Sequence, residues 1–105
     1  MSAFRIFVTQ KASDDLSSAV RYITFSLSNA SAARQLLDSF DELVDKLESF
    51  ASTYPFVRDE IAASAGYRWA EFGNYMAFFR VDEQSGVVCV DRISYKKRNW
   101  AALIG

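Results

Sequence analysis

The spacing of apolar residues changes once along this chain, at Tyr54-Pro55, and that change limits the folds open to it. Before it, apolar residues recur in steps of three and four, the period of a helix face. After it, aromatic and β-branched residues crowd into short runs parted by turn residues, the signature of strands. Each part can bury its apolar side only against the other.

Phe4 to Thr9 is short, apolar and partly β-branched, and reads as a first strand. Thr9 can cap a helix that opens near Gln10. Asp14 and Asp15 then fall in its early turns, where negative charge suits the helix dipole. Ala12, Leu16, Ala19, Val20, Ile23 and Leu27 mark one apolar face over about residues 10–27. Ser28-Asn29 breaks the pattern, and Asn29 can cap a second helix. Ala33, Leu36, Leu37, Phe40, Leu43, Val44, Leu47 and Phe50 carry that helix to about residue 50. So short a connection makes the two helices an antiparallel hairpin. Arg21, Gln35, Asp38, Glu42 and Asp45 fall on the outer, solvated faces.

Proline ends the helical part because it removes a donor and biases its predecessor to extended geometry. Residues 55–65 read as a mixed connector. Strands follow at 66–72, 75–82 and 87–95, with turns at Gly73-Asn74 and at Glu83 to Gly86. Residues 98–104 read as a last short helix or an extended tail that docks back. The predicted fold is α+β, in the order β-α-α-β-β-β, with a helical hairpin on one face of a small, largely antiparallel sheet. The other face is expected to be free. If Gly73-Asn74 is a two-residue turn, Phe72 pairs with Tyr75, and the register follows back to Arg68 opposite Phe79. One face then carries Arg68, Ala70, Phe72, Tyr75, Ala77 and Phe79. The other carries Tyr67, Trp69, Glu71, Met76, Phe78 and Arg80. Both hold aromatics, so the pattern alone does not say which meets the helices.

The 105 residues are expected to form one domain, 1–105. Half are hydrophobic and 15% aromatic, enough to bury a core without staples. Cys89 is the lone cysteine, which excludes an internal disulfide and suits a reduced, cytoplasmic setting. The opening Met1-Ser2-Ala3-Phe4-Arg5 lacks the apolar run of a signal peptide. No apolar stretch approaches the roughly 20 residues needed to span a bilayer.

The sequence has no histidine, so a Ser-His-Asp triad, a Cys-His pair and an imidazole base are all excluded. A zinc site is not expected from one cysteine alone. Glycine-rich nucleotide fingerprints and calcium-loop spacings are absent, and no cofactor or metal is expected. Asp82-Glu83 read as solvated turn residues.

Charge is uneven. Residues 1–90 hold eight Lys/Arg against twelve Asp/Glu, whereas 91–105 hold Arg92, Lys96, Lys97 and Arg98 against Asp91 alone. These cations flank Tyr95 and precede Trp100, with Arg68 and Arg80 on neighbouring strands. A cationic surface beside aromatic rings can hold a phosphate backbone and stack a base. It can also stabilise charge on a scissile phosphate. The competing reading is a solvated tail, with Tyr95 a packed strand end and Trp100 an anchor for the C-terminal segment.

The chain resembles the RelE/ParE toxin superfamily. The resemblance begins with Val8-Thr9-Gln10-Lys11-Ala12, Asp15-Leu16 and Tyr22-Ile23. It continues through Gly66-Tyr67-Arg68, Asn74-Tyr75 and Phe78 to Glu83, and closes with Val90 to Trp100. No piece is a strict motif; order, spacing and the predicted element order carry it. The resemblance implies the toxin of a type II toxin–antitoxin (plasmid stabilisation) module, arresting growth unless a cognate antitoxin covers it. ParE-like members bind DNA gyrase and cut nothing. RelE-like members cut mRNA on the ribosome. In the second case Arg68 and Lys97 match the catalytic cations by position, with Tyr95 beside them. An arginine of those nucleases falls at Met76, opposite Glu71, where the surroundings are apolar and acidic. Arg80, Arg92, Lys96, Arg98 and Trp100 are then target- or phosphate-binding candidates. The substitution at Met76, the missing histidine, the pI near 5.3 and the ParE-type ending favour gyrase. An inactive, antitoxin-binding relative is the third reading. An acidic antitoxin would complement the basic end. Its expected contacts are the exposed sheet face, the groove by the helical hairpin and the C-terminus.

Overall fold

The computed structural model describes residues 3–104; Met1, Ser2 and Gly105, parts of the two termini read above, lie outside the described residues. Strand β1 (Arg5–Val8) leads into α1 (Gln10–Arg21), whose N-cap Thr9 accepts from the Ala12 N–H. Helix α2 (Ala30–Phe50) is capped in the same way by Asn29. Strands β2 (Arg68–Phe72), β3 (Tyr75–Asp82) and β4 (Val87–Tyr95) complete a sheet of order β1-β4-β3-β2, in which only β1 runs parallel to its neighbour.

Three features depart from the expected ones. Helix α1 stops at Arg21, and Tyr22–Ser26 widen into a π turn whose end is marked by Ser28 at φ 48°. Leu27 is therefore turned outward and is 55% exposed. The connector contains a short helix, α3 (Glu60–Ser64), capped by Asp59. Asp14 and Asp15 do not serve the helix dipole, since neither falls in the first turn. Asp15 instead reaches β4.

The register read from Gly73-Asn74 holds along all of β2 and β3. Of the two turn residues only Gly73 takes positive φ (57°), the pattern of a type II′ turn with glycine first. Ala70, Phe72, Ala77 and Phe79 face the helices and pack with Leu36, Phe40, Leu43 and Leu47 of α2. Small Ala70 and Ala77 leave room for the larger helix residues, and the Phe40 and Phe72 rings sit 5.3 Å apart.

On β4, Val88 and Val90 point to this core, yet so does Ile93, which strict alternation would turn away. A bulge resolves the conflict. Phe78 pairs with Arg92 and Phe79 with Val90, so Asp91 is the extra residue.

The opposite face is not free, as first expected. Val57, Ala62 and Ile104 bury Phe78 there, and Trp100 stacks on it at 5.1 Å. The connector and the C-terminal segment thus cover the β2–β3 part of this face. No helix among the described residues is long and apolar enough to cross a membrane.

Candidate functional site

The chain reverses after β4. Lys96 N–H donates to the Asn74 carbonyl and Arg98 N–H to that of Tyr95. The segment then runs back over the second sheet face through a 3-10 turn at Trp100–Ala102 and ends on buried Ile104. Folding back leaves a cavity of about 420 Å³ between segment and sheet. Arg58, Lys96 and Lys97 line it with Trp69 and Trp100, and Glu71 and Met76 complete it. None of these three cations takes part in an ion pair among the described residues.

The other candidate cations are engaged. Arg92 binds Asp15 through Nε and Nη2 at 2.8 and 3.0 Å, and the Ile93 N–H donates to the same carboxylate. That hydrogen-bonded carboxylate raises the Arg92 pKa further and ties α1 to β4 beyond the end of β1. Arg80 pairs with Asp91 at 2.9 Å and lies over the Tyr67 ring. Arg68 donates to the Tyr54 carbonyl at 2.6 Å and stacks on Phe56 at 3.9 Å.

Asp91, placed by the bulge, is a second hub. It accepts from the Tyr67 hydroxyl at 2.7 Å and from the Cys89 thiol at 3.2 Å, besides pairing with Arg80. Burial, followed by this hydrogen bond, pushes Cys89 up to about 11 and also raises Tyr67.

Tyr95 belongs elsewhere. It meets Tyr75 edge-on at 5.6 Å and lines a groove of about 620 Å³ at the tip of the helical hairpin, with Tyr22, Ile23 and Leu27. Arg98 is exposed and lines neither space. Arg68, Tyr95 and Lys97 are therefore not brought together. Arg68 and Tyr95 are offset by about 13 Å along the strands and lie two strands apart, while Lys97 faces the cavity on the other side.

Sequence reasoning had grouped Trp69, Glu71 and Met76 on one face, but it had not joined Arg58 to them. Nothing in the connector's sequence signals Arg58. The Asp15–Arg92 pair was also missed, since 77 residues separate its members.

The chain matches the family model for the ParE toxin of the type II toxin–antitoxin system parDE over residues 6–100. Among solved structures it is similar to the chromosomal ParDE toxin–antitoxin system from P. aeruginosa. That match has 21% identity, covers 89% of this chain and 96% of the other, and has a TM-score of 0.70. The RelBE2 toxin–antitoxin complex from Mycobacterium tuberculosis matches with 18% identity, 89% and 98% coverage, and a TM-score of 0.51. Comparison with curated protein sequences gives no significant match. With the match spanning nearly every described element, the chain belongs to the ParE toxin family of type II toxin–antitoxin systems.

Proposed function

We propose that this toxin acts in the cytoplasm, arresting growth by binding DNA gyrase without cutting nucleic acid, and that a cognate antitoxin silences it. The observation that carries the reading is the fate of the cations. An RNA-cleaving site needs cations, and a group able to move a proton, gathered about one phosphate. Here Arg68, Arg80 and Arg92 are each committed to the fold. Tyr95 and Lys97 line different spaces, and Met76 occupies the position where the RNase branch has an arginine. The two solved relatives are toxin–antitoxin systems, which supports the antitoxin partner. The groove at the hairpin tip is the surface we assign to it, because exposed Tyr22, Phe25 and Leu27 supply apolar area beside it.

The second reading, cleavage of mRNA, has one observation in its favour: Lys96 and Lys97 carry no ion pair among the described residues and sit beside two tryptophans. A supercoiling assay with purified toxin and gyrase separates the two. Gyrase poisoning requires loss of supercoiling at saturating toxin, restored by antitoxin. Normal supercoiling would count against it.

A further inference from the structure

We propose that the cavity between the C-terminal segment and the sheet binds a guanosine phosphate, as a free nucleotide or as one residue of a single strand, and holds it uncleaved. The inference goes beyond the poisoning reading and rests on its non-cleaving part, since Lys97 lines this cavity and would be catalytic in a toxin that cuts mRNA.

Its volume of about 420 Å³ lies within the roughly 300–1,000 Å³ of small-molecule sites. Its lining divides by chemistry. Arg58, Lys96 and Lys97 put three cations at one space in a chain whose net charge is −1. That concentration suits a phosphate.

Trp69 and Trp100 are the chain's two tryptophans, and both face this space. Trp100 stacks on buried Phe78, which fixes its ring where it lines the cavity. Met76 adds a polarisable floor.

Glu71 is the feature that selects the base. A carboxylate at a phosphate site is repulsive unless it serves another part of the ligand. Guanine offers two parallel donors, N1–H and N2–H, which match the two carboxylate oxygens. Adenine offers one donor beside an acceptor that would meet carboxylate oxygen. An acidic, aromatic peptide could occupy the rings and cations, but it supplies no such donor pair for Glu71.

Because both tryptophans are in the cavity, intrinsic fluorescence of the full chain reads occupancy directly. The probes are guanosine monophosphate, adenosine monophosphate, and five-residue single strands with or without one guanine. Saturable quenching by guanosine monophosphate is expected, with adenosine monophosphate weaker by about tenfold. Glu71→Gln should bring the two nucleotides together. Lys96→Ala with Lys97→Ala should weaken both by similar factors. Stronger quenching by a guanine-containing strand than by the mononucleotide identifies a nucleic acid as the source, and the reverse identifies a free nucleotide. No saturable quenching by any nucleotide would overturn the proposal. So would equal binding of the two by the parent chain, a guanine preference that survives Glu71→Gln, or quenching by an acidic aromatic peptide alone. Circular dichroism of each variant guards against loss of fold.

Discussion

The two faces of the sheet bury neighbouring phenylalanines, Phe78 and Phe79, and both are fully enclosed. Their covers differ. Phe79 lies in a continuous core built from α1, α2 and all four strands. Phe78 lies under a thin cover drawn from the connector and the last residues, Val57, Ala62 and Ile104, with Trp100 stacked on it. The helix face is packed along its centre and opens at the hairpin tip, where Tyr22, Tyr75 and Tyr95 line the groove of about 620 Å³. The second face is sealed at its centre and hollow at its rim, and the rim gathers the two tryptophans with cations that carry no ion pair among the described residues.

The largest effect that tests this contrast is Phe79→Ala. Emptying a closed site in the main core should cost about 3–5 kcal/mol, while Trp100→Ala, which strips only a partly exposed cover, should cost about 2 kcal/mol. Chemical denaturation of the two variants measures both. Equal losses would erase the distinction between the faces.

Asp15→Ala should come next, at about 2 kcal/mol, because it leaves Arg92 and the Ile93 N–H without their acceptor in a part-buried place. About a fifth of each charged side chain remains exposed, and solvent there holds the cost below that of a fully buried pair. A loss under 0.5 kcal/mol would show that the pair does not join α1 to the sheet.

The smallest effect concerns reactivity. Cys89 is held protonated, with its pKa at about 11. The thiolate is the reacting form, so alkylation of the native protein should be slow at pH 8 and rise about tenfold per pH unit towards 11. Asp91 contributes to the upward shift, so Asp91→Asn should speed alkylation at pH 8. Fast modification of the parent chain at pH 8 would place the thiol outside the Asp91 cluster.

Much of this architecture was legible in the residues. Gly73-Asn74 set the register of β2 on β3, and the three-and-four spacing located α2 because its burial repeats without interruption. The limits were physical. A bulge has no local signature, so the extra residue at Asp91 showed only as Val90 and Ile93 falling out of alternation. The π turn at Tyr22–Ser26 has helix-like spacing and reads as continued helix. The two aromatic faces could be told apart only after Ala70 and Ala77 were seen against α2. At the candidate site, Lys96, Lys97 and Trp100 were legible because they are close in sequence. Arg58 was not, since only the fold-back of the last residues brings it near them. Arg92 looked available for a target because its partner, Asp15, lies on the first helix.

The central claim is arrest without cleavage, and the most direct test is to map the 5′ ends of cellular mRNA shortly after pulsed expression, beside an uninduced control. The account predicts growth arrest with messages intact. New ends at fixed positions within translated codons would contradict it and make the toxin a ribosome-dependent nuclease. Unchanged growth would contradict it too, and leave a folded relative that binds antitoxin without poisoning the cell.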